Sequence, residues 1–116
     1  MAALNPSPDH VLTLISAQIA TDASPLHPAR VDALPAKRAF QAYGSTSAGT
    51  GASVIEIYGS LFALTGTWVL LGTITLTLGT TVTNDGFASD APWPYVAVKV
   101  VSISGTDAAV TVGIGC

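Results

Sequence analysis

The run DGFASDAPWPYVAVKVVSISGTDAAVTVGIGC, residues 85–116, sets the fold class of this chain. It holds two apolar segments, Tyr95–Ile103 and Ala108–Ile114, joined by Ser104-Gly105-Thr106-Asp107. Val and Ile dominate both, and Lys99 is the single charge in either. Val96, Val98 and Val100 fall on one face, and Val110, Val112 and Ile114 repeat the spacing. A period of two with β-branched residues inward is that of a strand with one face in a core. Two such segments about a short Gly-containing link read as a β-hairpin. Ala91-Pro92-Trp93-Pro94 fixes the chain's approach to it, because prolines hold φ and bar a helix.

Upstream the same grammar repeats. Gly72–Gly79 (GTITLTLG) alternates cleanly, with Ile74, Leu76 and Leu78 on one face and Thr73, Thr75 and Thr77 on the other. That is a half-buried antiparallel strand. Asn84-Asp85-Gly86 supplies turn chemistry after it. Before it, Thr67–Leu71 brings Trp68 into a short strand that Gly72 breaks or bends. Leu61–Gly66 is a loop whose Phe62 and Leu64 are unusually apolar for such a place. Ala52–Ser60 alternates, with Ile55 and Ile57 facing one way and Val54, Glu56 and Tyr58 the other. Ser45–Gly51 (STSAGTG) reads as a flexible turn. Ala36–Gly44 reads as a strand with Phe40 and Ala42 inward and Lys37, Gln41 and Tyr43 outward.

The N-terminal third is less regular. Residues 1–9 form a polar, Pro-containing lead. His10–Ile19 places Val11, Thr13, Ile15, Ala17 and Ile19 on one face and Leu12, Leu14, Ser16 and Gln18 on the other. A helix capped by Ser7 with Pro8 at its first position is the rival. The β-branched content and shortness of the run favour a strand. Thr21–Pro35 carries Pro25, Pro28 and Pro35, which favour an extended, partly polyproline connection over a packed element. It is an ordinary surface loop or an arm lying along a neighbouring subunit. The count is six to eight short strands with turn signals every ten residues or so. The expected architecture is all-β: an antiparallel β-sandwich or jelly-roll-like barrel with an extended N-terminal arm. Residues 1–35 hold the first strand and the arm, residues 36–116 the sandwich, in one domain overall.

Composition narrows the function. A chain of 116 residues buries roughly two thirds of its unfolded surface, enough for a core without staples. It is 49% hydrophobic and only 9% charged, against about 25% charged for an average domain. Surface polarity therefore rests on Thr, Ser and Gly, or neighbours cover much of the surface. A net charge of −3 with four Lys and Arg makes no basic patch for nucleic acid. The one cysteine, Cys116, excludes an intrachain disulfide and suits synthesis in a reducing compartment. No signal-peptide pattern opens the chain. No apolar run reaches the roughly 18 residues of a spanning helix, Trp68–Leu78 coming nearest before Gly72 and threonines interrupt it. The expectation is a protein neither secreted by that route nor membrane-spanning.

Catalytic constellations are not legible. His10 and His27 have no second ligand at zinc spacing. Asp85, Asp90 and Asp107 meet at one end of a sandwich only on paper, and each has a plainer role in a turn. No GxSxG-like elbow supports a Ser-His-Asp triad. Gly49-Thr50-Gly51 precedes a strand, so it presents no helix N-terminus to phosphate. Trp68, Trp93 and Tyr95 suit either rim packing or stacking on a sugar ring. The chain reads as a non-enzyme with no metal and no cofactor.

Three segments together resemble small virion proteins of tailed bacteriophages: RAFQAYGSTSAGTGASVIEIYGS (Arg38–Ser60), WVLLGTITLTLG (Trp68–Gly79) and DGFASDAPWPYVAVKVVSISGTDAAVTVGIG (Asp85–Gly115). The resemblance covers most of residues 36–116 and is one of pattern. It implies a structural protein of the particle, a head decoration or cement protein that bridges major capsid subunits against internal DNA pressure. The chain would then be made in the bacterial host cytoplasm and reside on the capsid surface, beside the major capsid protein and copies of itself. The commoner members carry a polar Asn-Asp-Gly type turn where this chain has Leu61-Phe62-Ala63-Leu64. An apolar turn tip is costly in water and marks a contact with a partner. Low charge, that tip and the Pro-rich segment agree with a protein set among neighbours, and Pro25, Leu26, Pro28, Phe62 and Leu64 are the expected contact residues. A tail, neck or head-fibre module, with the aromatics on a host glycan, is the alternative.

Overall fold

In the computed structural model, residues 11–31, 37–62, 64 and 66–115 are described. They form eight strands: β1 (Val11–Gln18), β2 (Leu26–Arg30), β3 (Arg38–Ser45), β4 (Ala48–Ser60), β5 (Val69–Leu78), β6 (Thr83–Ser89), β7 (Tyr95–Thr106) and β8 (Ala109–Gly115). Two four-stranded sheets result, in the orders β1-β8-β3-β6 and β2-β7-β4-β5. Every ladder is antiparallel. The architecture is thus all-β and sandwich-like.

The apolar faces meet in one cluster. Leu14, Ile15, Phe40, Ala42, Val110, Val112 and Ile114 come from one sheet, and Ile55, Ile57, Ile74, Leu76, Leu78, Val96, Val98 and Val100 from the other. Each fully buried side chain of this size contributes roughly 1.5–3 kcal/mol, so stability resides between the sheets. The alternations in β3, in β4 beyond Ala52 and in β5 beyond Gly72 are borne out, with Thr73, Thr75 and Thr77 exposed. On the β5–β6 side Phe87 stacks on Phe40 with ring centroids 5.1 Å apart. The same ring occupies the space a Cβ at Gly72 would need, 2.7 Å from its nearest atom.

The expected hairpin of residues 95–114 is not one. β7 and β8 are adjacent in sequence but belong to opposite sheets: β7 pairs with β2 and β4, β8 with β1 and β3. Gly105 (φ 118°) and Asp107 (φ 51°) turn the chain into the opposite sheet instead of back along its own edge. Of the seven connections only β4–β5 joins neighbours in one sheet. Alternation reports which face is buried and is silent about which strand lies alongside.

Other expectations shift for local reasons. Asn84-Asp85-Gly86 lies inside β6, opposite Tyr43, Ala42 and Gln41, and the reversal falls at residues 79–82. A side chain at Gly86 would strike Phe40 O, so this glycine permits close strand pairing, not a turn. The flexible turn Ser45–Gly51 shrinks to Thr46 and Ser47, because β4 starts at Ala48. Gly72 does not split its segment: β5 runs on from Val69, and the irregularity is a register shift opposite Ile57 and Tyr58. Trp68 precedes that strand.

In β1 the strand reading prevails over the helix, but a register shift between Thr13 and Ile15 buries Leu14 and Ile15 together, so the expected faces mix. The Thr21–Pro35 connection contains a packed element after all. β2 pairs with β7, with a register shift between Leu26 and Ala29 that accommodates Pro28, and edge positions tolerate proline's missing N–H. Val31 also joins the common core. Of the expected arm, Leu26–Arg30 is therefore a strand of one sheet and Val31 part of the core, while residues 21–25 lie in no strand. Residues 1–10 and 32–36 lie outside the described residues.

Candidate functional site

The registers sort the connections onto two ends. Val11 opposite Gly115, Arg38 opposite Ser89 and Ser60 opposite Tyr95 define one end. Gln18 opposite Val110, Gly51 opposite Leu78 and Ala48 opposite Thr106 define the other. The second end is built mainly from hydroxyls and glycines, with Ile19 and Val82 exposed singly among them. There Ser47 donates to Asp107 Oδ2 at 2.8 Å, Thr46 Oγ1 donates to Gly49 O at 2.9 Å, and Thr83 Oγ1 donates to Thr77 O at 2.9 Å.

The first end carries the β4–β5 tip and differs in kind. Leu61, Phe62 and Leu64 are 59%, 65% and 61% exposed, and Val69 and Leu70 are about half exposed beside them. Large apolar side chains are usually withdrawn from water, so five exposed ones at or beside a single turn are unusual. The backbone beneath is pinned. Thr67 Oγ1 donates to Leu64 O at 2.6 Å and accepts from Leu64 N at 3.1 Å. Ser60 Oγ, fully buried, accepts from Phe62 N at 3.0 Å and lies 2.8 Å from Thr67 Oγ1. Thr67 N donates to Leu64 O as well. Two hydroxyls thus stand in for the ladder bonds the loop lacks and hold the apolar side chains outward in a fixed arrangement.

No family model, curated protein or solved structure matches this chain.

Its expected contact residues fall into two groups that the fold keeps apart. Phe62 and Leu64 sit on the tip. Pro25 is half-buried just before β2, Leu26 is opposite Val98, and Pro28 is exposed where the β2–β7 register shifts. β2 and β5 are the two outer strands of their sheet, so Pro25, Leu26 and Pro28 lie across its breadth from the tip. Val69 and Leu70 were not expected in the patch. The signal was present in Trp68-Val69-Leu70-Leu71, four apolar residues in succession with no alternation.

The polar candidates disperse. Asp107 is at the hydroxyl-rich end, Asp90 at the other, and Asp85 within β6. Among the described residues no three His, Cys, Asp or Glu side chains come together. His10 and Cys116 lie outside the described residues. Gly49-Thr50-Gly51 is part of β4. Trp68, Trp93 and Tyr95 are half-buried at the apolar end, with Trp93 laid over Gly59, where a Cβ would fall 2.6 Å from the indole. Two surface concavities of about 600 Å³, one along Leu14–Asp22 and one at Lys37–Ala39, lie open to solvent. No helix among the described residues is long and apolar enough to cross a membrane.

Two groups shape the local electrostatics. Arg38 is buried, and its guanidinium donates to Val31 O at 3.0 Å and to Trp93 O, tying two connections together at the apolar end. On the outer face of β4, Tyr58 donates its hydroxyl to Glu56 Oε1. That bond, then burial and the carboxylate's charge, push the phenol up to about 12. Lys99 stands opposite Glu56 on β7.

Proposed function

We propose that this chain is a non-enzymatic structural protein of a bacteriophage particle, a decoration or cement protein that docks on the shell of major capsid subunits. The observation that carries the reading is the pinned apolar tip of Leu61, Phe62, Leu64, Val69 and Leu70 on a rigid two-sheet body. A preorganised hydrophobic projection loses little freedom on docking. It suits a partner that offers an apolar recess. The scarcity of charge fits a surface largely covered by neighbours. The fold we assign is a jelly roll, on the strand orders β1-β8-β3-β6 and β2-β7-β4-β5 and the repeated crossing between sheets. The Pro25–Pro28 edge supplies a second contact, on a neighbouring subunit, and modest single contacts gain by multiplicity. No nucleic acid, membrane or cofactor enters the role.

The test is the copy number of the chain in purified particles, by quantitative mass spectrometry against the major capsid protein. A simple ratio near one to one, lost in Phe62→Glu and Leu64→Glu proteins that remain folded, supports the reading. Full occupancy by those variants removes the tip from the interface. A few copies per particle support the second reading, a tail, neck or head-fibre module. That reading is favoured by Trp68, Trp93 and Tyr95 at one end, and glycan binding by the purified protein would extend it. Absence from particles overturns both.

A further inference from the structure

Four strands end the two sheets, and three of them carry a device against pairing with another chain. β1 is bent by two register shifts and by Ala17 at φ 50°. β2 is five residues long, contains Pro28 and Arg30, and gives way to Asp22, whose carboxylate accepts from Val100 N at 3.0 Å. β6 carries Asp85, whose Oδ1 takes the Gly86 N–H at 2.8 Å. Prolines, charges, bulges and brevity are the means by which sheet edges avoid association.

β5 has none of these over most of its length. It is ten residues long, and no charge or proline occurs anywhere in residues 57–84. Its one irregularity lies at the Gly72 end, leaving Gly72–Leu78 in regular register with β4. In that ladder the backbone of Ile74 and Leu76 faces β4. Thr77 O, bonded by Thr83 Oγ1, shows that alternate residues face the free edge. The N–H and C=O groups of Thr73 and Thr75 therefore point outward, with no further strand on that side among the described residues.

We propose that this edge pairs with the same edge of a second copy, antiparallel about a two-fold axis at Ile74. Thr73 then lies opposite Thr75 of the other copy, and the two symmetric pairs exchange about four N–H···O bonds. This register leaves Thr77 O to Thr83. A two-fold contact sets each residue against its own kind, so an edge without charge meets no repulsion where a charged one would. The threonine faces of the two copies form one continuous surface, and β-branched cross-strand neighbours suit it. Antiparallel pairing sends the two Leu61–Leu70 tips to opposite ends, so both stay free for the contact proposed above. The pairing itself does not depend on that contact.

Sedimentation equilibrium of the full chain over a concentration series tests it. The wild type is expected to be a reversible dimer. Thr75→Pro removes an outward N–H without touching a β4 bond, and Thr75→Lys places like charges near the axis. Each is expected to weaken dimerisation roughly tenfold or more, with an unchanged far-UV circular dichroism spectrum. A wild type monomeric throughout, its edge left for a strand of another protein, overturns the proposal. So does a dimer that persists in Thr75→Lys. Loss of particle binding with the dimer intact would instead count against the docking role alone.

Discussion

The β7–β8 and β4–β5 connections lie at opposite ends of the molecule and invert what their residues suggest. Residues 104–108 carry the Gly and Asp of a hairpin turn, yet they carry the chain from one sheet to the other. Residues 61–68, too apolar to look like a hairpin turn, close the one hairpin between sequence neighbours. The first connection is exposed over residues 104–107 but lies close against its neighbours: a side chain at Gly51 would collide with Ser104 O, and one at Gly105 would come 2.8 Å from Thr46 Cγ2. In the second, Ser60 and Thr67 hold the backbone while Leu61, Phe62 and Leu64 face water. One end is shaped by how closely backbones approach. The other is set apart by the apolar side chains it leaves in water.

That contrast sets the expected sizes of perturbation. Gly51→Ala forces a Cβ against backbone that cannot swing aside, and is expected to cost about 3 kcal/mol in urea unfolding. A cost near zero would mean the crossing is loosely packed, and the distinction between the ends would fall. At the tip, Thr67→Val removes the hydroxyl that serves Leu64 N and Leu64 O, for about 1–2 kcal/mol, with a marked rise in proteolysis within residues 61–68. If nicking does not increase, the loop is held by something other than the two hydroxyls.

Between the ends, Tyr58→Phe deletes the bond to Glu56 and is expected to cost about 1 kcal/mol at neutral pH. The raised phenol pKa fixes the pH window. The favoured form is the neutral one, so its contribution is whole below about 10 and fades as pH rises towards about 12. Ultraviolet titration should therefore show a late ionisation that is absent in Tyr58→Phe. The smallest effect belongs to Phe62→Glu. At 65% exposure its stability should stay within about 0.5 kcal/mol of wild type, and a large loss would show that the tip packs on its own domain.

Much of the fold could be read in residue order. The β5 threonine ladder, the Phe40 and Ala42 face of β3, and the valines of β7 and β8 alternate, and burial follows that alternation except at Ala97, which is buried between Val96 and Val98. Legibility failed where one residue type serves two purposes. Gly86 and Gly72 look like breakers but make room for Phe40 O and the Phe87 ring, contacts made by residues distant in sequence. Pro28 looks like a linker residue but sits on an edge strand, where its missing N–H does little harm. Phe62 and Leu64 stood out because nothing local excuses an apolar turn. Val69 and Leu70 were hidden in a run that reads equally well as core strand.

What residue order established about this protein is its class of structure and its inward faces. Side-chain period and β-branching are local properties, and the hydrophobic effect acts on them whatever the topology. The long-range arrangement settled which strands are neighbours, that residues 104–108 pass between the sheets, and that the contact candidates divide between a tip and a distant edge. Those outcomes depend on backbone approach at a few glycines and on ladder pairing between segments far apart in the chain. Neither leaves a periodic trace in the residues that take part.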